Sequence, residues 1–337
     1  MSQSHDTRQS LGPDDALPPV EPPSAGFILQ LFIIPAVIVL IIVVLWLMFS
    51  WLAHMGDNPN KYIEALRRNN PARWQAASSL ADALRRPGNE RLKNDSVQAR
   101  ALASLLSEEI DAGEDRGTAN DIKLRAFLAR ALGEFNVPDV LPTLLKAAKT
   151  QRYENELMVR RAAIEAIAVL ASNVGPARLR DKQGLVEALI DLSQDEQATI
   201  RSATAYTLGV VGGAEAAGRL EHMLDDAQPS VRYNAATGLA RQGDLQATAV
   251  LIEMLEPRHI ESAGQRGSSS MQAARRLQIR ITAMRALKVL FEKQPQADDR
   301  QVRAAVRELL KDKELKTRTR IEAKSLLQDL EARHTGG

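Results

Sequence analysis

A short helical pattern recurs along most of the chain and limits what it can fold into. The pattern is clearest in residues 228–244, QPSVRYNAATGLARQGD, where a turn containing Pro229 opens a helix and Gly243 closes it. An apolar residue precedes Arg232 in this helix, small residues follow it at three and four positions, and a leucine follows at seven. Close or looser copies of the pattern surround the following seven arginines: Arg73, Arg125, Arg160, Arg201, Arg232, Arg280 and Arg320.

The spacing of these arginines indicates a repeat of two helices. Successive arginines are 52, 35, 41, 31, 48 and 40 residues apart, with a mean of about 41. The segments VRYNAATGLARQGD, IRSATAYTLG and LRAFLARALG resemble the second helix of HEAT-like repeats, especially the subclass also found in phycobilin lyases. The resemblance covers about residues 59–330 and implies an all-α fold, an α-solenoid of about seven HEAT-like helix pairs.

Each predicted pair has two amphipathic helices, and a single pair cannot bury its apolar stripes alone. Neighbouring pairs must therefore stack. Pro142 falls inside the first helix of the third pair, where we expect a kink. Gly209, Gly212 and Gly213 superficially resemble a nucleotide loop, but they follow a helix and not a strand. They are interpreted as a helix end and a turn into the next pair.

The residue types present exclude several kinds of chemistry. The chain has no cysteine, which excludes disulfides, cysteine-based zinc sites and thiol catalysis. Its five histidines are dispersed, and none has a metalloprotease spacing. There is no phosphate-binding loop and no G-x-S-x-G element. The sequence therefore predicts that the chain is not an enzyme, with no cofactor, metal or catalytic residue.

The first 53 residues differ in character from the repeats. Residues 1–26 are Pro-rich and acidic, with a net charge of −3, and are predicted to be a disordered tail. Residues 27–53 carry no charge, and as a helix they would reach ~40 Å, which is enough to cross a bilayer. Pro35 is expected to kink this transmembrane helix. Trp46 and Trp51 are near its C-terminal end, where indole rings favour the membrane interface.

Two alternatives to a membrane anchor are disfavoured, and charge indicates its orientation. The apolar run exceeds the ~7–15 residues of a signal-peptide core, and it is too uniformly apolar for a core helix. Lys61, Arg67, Arg68 and Arg73 follow it within twenty residues, whereas only Arg8 precedes it. The positive-inside rule thus predicts a single-pass membrane protein with a cytoplasmic solenoid.

The recurrent arginines favour a structural role. Residues 59–331 are predicted to form the solenoid, and residues 332–337 a polar tail. Each arginine begins a helix near loop acids that can satisfy its guanidinium, such as Asp195 and Asp226. The alternative is a cationic ladder that binds an acidic partner.

Two insertions interrupt the repeats, residues 111–121 in the second pair and residues 257–272 in the sixth. Insertions on one edge of a solenoid often form its binding edge. We therefore predict that Arg258, His259 and Arg266 contact a protein partner. A tolerated disordered loop remains the alternative for this Gly/Ser-containing segment.

The sequence favours a membrane-tethered scaffold or adaptor that binds protein partners along a concave face or the inserted edge, with no covalent step. A phycobilin-lyase-like enzyme or enzyme partner is the alternative implied by the resemblance. Nucleic-acid binding is a third class. It is disfavoured because the residues after position 53 carry a surplus of only +5.

Overall fold

The chain divides into two compact units, Met1–Asn58 and Pro59–Gly337. Within the described ranges every regular element is a helix. The structure, a computed structural model, describes residues 25–55, 59–68, 70, 72–113, 117–151, 156–256, 269–313 and 315–333.

The first unit contains one long helix, α1 (Ala25–Met55), with Pro35 inside it. Its segment Leu29–Ser50 has a mean hydropathy of 3.2, and none of that segment is buried. By length and composition this helix could cross a membrane. Trp46 is 67% exposed on it. Trp51 belongs to the helix, but its side chain lies outside the described residues.

The second unit contains seven helix pairs in its described residues. The first helices of the pairs are α2 (Pro59–Arg67), α5 (Ser96–Asp111), α7 (Leu141–Lys149), α10 (Leu185–Leu192), α12 (Ala214–Met223), α14 (Thr248–Leu255) and α16 (Arg300–Lys311). The second helices are α3 (Arg73–Arg85), α6 (Ala119–Gly133), α8 (Leu157–Val174), α11 (Ala198–Val211), α13 (Pro229–Gln242), α15 (Ser269–Lys293) and α17 (Thr317–Ala332). Two short helices join neighbouring pairs, α4 (Glu90–Lys93) and α9 (Pro176–Arg180).

The pairs stack so that the second helices form one continuous layer. Each second helix packs against the first helix of its own pair and against the second helices before and after it. Five leucines that follow a recurrent arginine at seven positions are fully buried: Leu80, Leu132, Leu208, Leu239 and Leu287. Burial of this kind contributes about 1.5–3 kcal/mol per leucine. The predicted fold class, an all-α HEAT-like solenoid preceded by one apolar helix, is confirmed.

The layer is tightest where two glycines meet. A Cβ on Gly209 of α11 would lie 2.5 Å from the Cα of Gly238 of α13. Gly209 therefore lies inside a helix and allows two backbones to touch, and its assignment to a helix end was wrong. Gly212 and Gly213, with φ of 66° and 98°, do form the expected turn.

Two other local expectations differ from the structure. A 3₁₀ turn, Pro138–Val140, precedes α7, so Pro142 falls in the first turn of the helix and not in its interior. Proline is tolerated there because its missing N–H has no helical partner to lose. In the sixth pair α15 begins at Ser269, so the last four residues of the expected insertion 257–272 are helical.

Candidate functional site

The recurrent arginines lie at the junctions between successive pairs. In the first six pairs the guanidinium donates to a carbonyl within three residues of the end of its own first helix and faces a carboxylate of the next pair. The carboxylates, in chain order, are Glu109, Glu156, Asp195, Asp226, Glu253 and Asp312. Arg320 in the seventh pair donates to carbonyl oxygens of its own pair.

The arginine–carboxylate pairs nearest the N-terminus are buried. Arg73 Nη1 lies 2.9 Å from Glu109 Oε1, and Arg125 Nη2 lies 3.3 Å from Glu156 Oε1. Arg125 is 2% exposed, and Arg160, which bonds the carboxylate of the fourth pair, is also buried. A partner could not reach these side chains. That these arginine–carboxylate pairs, here called the arginine ladder, stabilise the stack stays a prediction.

Arg201 and Asp226 form a bidentate ion pair. Arg201 Nε and Nη2 donate to the two carboxylate oxygens at 2.7 and 3.0 Å, and the backbone N–H of Gln228 donates to Asp226 Oδ1 at 2.8 Å. Burial opposes ionisation of Asp226, but these bonds outweigh it and lower its pKa. The side-chain bonds that Arg201 donates to Asp226 also raise the pKa of Arg201. The pair is therefore fully charged at neutral pH.

Aromatic rings and cations line the second-helix face, by which we mean the outer surface of the layer formed by the second helices. The rings of Trp74 on α3 and Phe127 on α6 stack with centroids 6.1 Å apart and planes 22° apart. Lys123 Nζ lies 5.0 Å from the Trp74 ring centroid, and the Arg130 guanidinium lies 5.2 Å from that of Phe127. Such cation–π contacts are worth about 0.5–1 kcal/mol at exposed sites. Interfaces between proteins are enriched in aromatic residues and arginine.

A hollow of about 270 Å³ adjoins these rings between α3, α6 and α8. Charged side chains of both signs line it: Asp82 and Arg85 of α3, Glu134 just after α6, and Glu165 of α8. Arg85 Nε donates to Glu134 Oε1 at 3.0 Å. This part of the second-helix face is thus polar, with both charge signs present.

A second groove, of about 230 Å³, lies between α13 and α15. Hydroxyl and amide side chains line it, among them Asn234, Thr237 and Gln278. Tyr233 donates from its hydroxyl to Glu253 Oε1 at 3.2 Å. Burial and the neighbouring Glu253 raise the pKa of Tyr233 to about 12, so the phenol keeps its proton at neutral pH. The groove thus presents both hydrogen-bond donors and hydrogen-bond acceptors.

The partner-contact residues predicted from the sequence, Arg258, His259 and Arg266, lie outside the described residues. Their role stays a prediction. Sequence reasoning missed the stacked rings of Trp74 and Phe127. Two aromatics near the recurrent arginines were a usable signal in a chain with only 4% aromatic residues. Among the residues with described positions, no group of three or more His, Asp or Glu side chains could hold a metal ion.

Comparison with known proteins identifies the repeats. Residues 117–182 and 186–262 match the HEAT repeat family, which confirms the resemblance to HEAT-like repeats. Whether α1 is a membrane anchor is not decided by this match, and the anchor stays a prediction.

The chain is similar in sequence to one curated relative and in fold to two solved structures. The chain is 30% identical over 165 residues to phycocyanobilin lyase subunit alpha of Synechocystis sp.; the match covers 44% of this chain and only 55% of the relative's length. The complex of CpcE and CpcF of phycocyanin lyase from Nostoc sp. is 21% identical, with a TM-score of 0.45, covering 81% of this chain and 94% of that one. The YibA protein of Escherichia coli is 16% identical, with a TM-score of 0.42, covering 84% and 96%.

The relationship to a lyase subunit corrects one prediction. The absence of a recognisable catalytic motif led to the expectation that the chain is not an enzyme, and that expectation is wrong, because a similar protein is a subunit of a lyase. The motifs that the sequence lacks are those of hydrolases, nucleotide-binding proteins and metalloproteases. Their absence says nothing about other chemistry.

Proposed function

We propose that this chain, in which residues 117–182 and 186–262 are HEAT repeats, is a scaffold held at a lipid bilayer by α1 that binds a protein partner on its second-helix face. The observation that carries the proposal is the group of aromatic rings and cations on α3 and α6. A solenoid offers such a face as one continuous surface across several repeats.

The composition of the second-helix face supports a protein partner. Trp74 and Phe127 are only partly buried, and each has a cation over its ring. Tryptophan and arginine are over-represented among the residues that contribute most to binding between proteins. The mixed charges of the adjoining hollow provide polar contacts around this aromatic centre, as the rim of an interface does.

The partner site can be tested with a double substitution. The full chain, purified in detergent, is used to capture partners from membranes of its own source after cross-linking. We expect the variant Trp74→Ser/Phe127→Ser to lose at least nine-tenths of the capture of a partner that the native chain retains. The matched control is Val97→Ser/Leu245→Ser, which changes two exposed apolar residues outside the second helices. Equal losses in both variants would refute the assignment of this face.

The uncharged helix supports attachment to a bilayer. Leu29–Ser50 is unburied and strongly apolar, and tethering raises the local concentration of the scaffold for partners at the same membrane. We expect the full chain to sediment with membranes after extraction at alkaline pH, and a chain lacking residues 1–55 to remain in the supernatant. Release of the full chain by the same extraction would exclude a spanning helix.

The charge asymmetry around α1 supports a cytoplasmic repeat unit. A reporter fused to Gly337 that is active on only one side of the membrane tests this orientation. We expect a cytoplasmic signal, because four cations lie within the twenty residues after the apolar run and only one precedes it. A signal from the opposite side would reverse the orientation and direct the search for partners there.

As a second candidate function, we propose that the chain is a subunit of a lyase that binds phycocyanobilin. The supporting observation is the 30% identity over 165 residues with phycocyanobilin lyase subunit alpha. The purified chain should then bind added phycocyanobilin saturably and shift its visible absorption band, and an unchanged spectrum would exclude this candidate. The two proposals are compatible, since a subunit that takes part in catalysis can also bind a partner protein.

A further inference from the structure

A hollow at the C-terminal ends of several second helices contains three cations. It has a volume of about 640 Å³ and lies where α8, α11, α13 and α15 end. Arg180 of α9, Arg241 of α13 and Lys293 of α15 line it together with Tyr206 of α11. No described acidic residue lines the hollow.

The three cations differ in this respect from many others in the repeat unit. Several exposed lysines and arginines elsewhere face carboxylates, as in the Lys288–Asp329 pair at 2.8 Å and the Arg307–Glu331 pair at 2.6 Å. Within the part of the chain that the structure describes, neither the two arginines nor the lysine of the hollow forms an ion pair. Their positive charges are therefore compensated only by solvent and by helix ends.

Two of the three cations are held in place. Arg180 Nη1 donates to the carbonyl oxygen of Val211 at 3.1 Å, and the side chain passes over Gly213, where a Cβ would lie 2.7 Å from Arg180 Cδ. The Arg241 guanidinium lies 5.5 Å from the centroid of the Tyr206 ring. Side chains that are already ordered lose less conformational entropy when a ligand binds.

Helix ends explain only part of this arrangement. The carbonyl ends of helices carry a partial negative charge that favours cations in the last turn, which accounts for Arg241 at the end of α13 and Lys293 at the end of α15. It does not require three of them to converge on one open hollow. A guanidinium has five N–H donors, and the bond from Arg180 to Val211 engages one of its three nitrogens.

We infer that this hollow binds an acidic peptide segment of the protein partner. Planar guanidinium groups match carboxylates with paired hydrogen bonds, and Lys293 adds a third positive charge. Gly212 and Gly213 form part of the wall without side chains, so a peptide main chain can come close to it. The inference rests on the proposed scaffold function, because it names the chemistry of the partner.

A charged peptide probe tests the hollow directly. The probe is a fluorescein-labelled peptide of six glutamates, titrated with the full chain in detergent and followed by fluorescence anisotropy at low ionic strength. The test variant is Arg180→Gln/Arg241→Gln/Lys293→Gln. The control, Lys149→Gln/Arg318→Gln/Lys324→Gln, removes the same three charges from exposed positions outside the hollow.

We expect the affinity to fall about tenfold or more in the test variant and less than twofold in the control, since each lost ion pair weakens binding several-fold. Raising the salt concentration should weaken binding to the native chain. The variant Arg241→Gln/Lys293→Gln keeps the Arg180–Val211 bond and should show most of the loss if the triple variant is misfolded. Equal losses in test and control variants, or no binding to the native chain, would overturn the inference.

Two further results separate this inference from its premise. Complete displacement of the peptide by a few millimolar inorganic phosphate would indicate a phosphate site and overturn the peptide assignment. A partner captured equally by the native chain and the triple variant would leave the scaffold proposal standing and refute the hollow as its docking point. Peptide binding that depends on the hollow, without any captured partner, would instead count against the scaffold.

Discussion

Arg125 and Glu156 show what a single residue contributes to the stack. Both side chains are almost completely buried, and they join the second pair to the third across 3.3 Å. Burying two charges is unfavourable, so such a pair is stabilising mainly in relation to a state in which one partner is missing. The ladder therefore makes each pair dependent on the correct placement of the next.

Replacing Arg125 by methionine should destabilise the repeat unit strongly. The Glu156 carboxylate would lose the guanidinium that faces it, at a cost of about 3–5 kcal/mol. Thermal unfolding followed by circular dichroism measures the effect. The control Arg307→Met breaks an exposed pair with Glu331 and should change stability by less than about 1 kcal/mol. Similar shifts in melting temperature for both variants would contradict a structural role for the buried arginine–carboxylate pairs.

The lowered pKa of Asp226 predicts a pH-dependent contribution to stability. A carboxyl group whose pKa is lower in the folded state stabilises the fold above its unfolded pKa of about 3.9, and this contribution disappears as the pH falls through the folded value. Asp226→Asn should therefore lower the free energy of unfolding by about 1–3 kcal/mol at pH 7.

The difference between the native chain and Asp226→Asn should begin to narrow below about pH 4, where the unfolded chain binds a proton at this carboxyl group, and should vanish once the folded chain is protonated at a lower pH. The control is Asp225→Asn, an equal change of charge at the exposed neighbouring position. It should leave the melting temperature nearly unchanged. A difference for Asp226→Asn that is independent of pH would show that the ionised carboxylate is not what stabilises this junction.

At the scale of the elements, helix spacing depends on the absence of side chains. The Cβ of an alanine at position 209 would meet the Cα of Gly238, which is backbone and cannot rotate away. Helices α11 and α13 would have to separate along their contact. The intrinsic gain of about 1 kcal/mol for alanine over glycine in a helix opposes this penalty without removing it.

We expect Gly209→Ala to lower the free energy of unfolding by about 1–3 kcal/mol, as overpacking does in other cores. The matched control is Gly218→Ala on α12, where a Cβ would meet nothing within 4 Å. That substitution should stabilise the unit by about 0.5–1 kcal/mol, because only the helix propensity changes. Thermal unfolding of the two variants should thus shift in opposite directions, and shifts in the same direction would argue against the backbone contact.

At the scale of the repeat unit, the seventh pair carries a polar residue at a position that is apolar in the other pairs. The fourth residue after the recurrent arginine is a buried alanine in several second helices, such as Ala205 and Ala236, but in α17 it is the exposed Lys324. Terminal repeats of solenoids need a polar outer face to remain soluble. Arg320 also faces no carboxylate of a further pair among the described residues.

Deleting residues 298–337, which removes α16 and α17, should therefore expose apolar surface of α15 that includes Leu290 and Phe291. We expect the shortened chain to aggregate or to elute early in size-exclusion chromatography in detergent. Removing only residues 334–337 serves as the control and should leave the elution unchanged. A monodisperse chain after the larger deletion would show that α16 and α17 are not needed to cover the stack.

The sequence alone predicted the helices, their pairing and the solenoid, because these depend on local periodicity. Apolar residues recur on one helix face, small residues follow each arginine, and glycines and prolines mark the ends. This pattern identifies the face that is buried without identifying the helix that covers it. The sequence also predicted that residues 27–53 form a helix able to span a bilayer, because that ability depends on length and composition alone.

Only the tertiary structure decided which side chains meet between repeats. Trp74 stacks on a ring 53 positions away, Arg73 pairs with an acid 36 positions away, and Arg201 with one 25 positions away. The hollow with three cations draws on α9, α13 and α15. Because the repeats vary from 31 to 52 residues, no fixed sequence offset identifies these partners. They are set by how far each pair is shifted and rotated on the one before it, which depends on packing between helices.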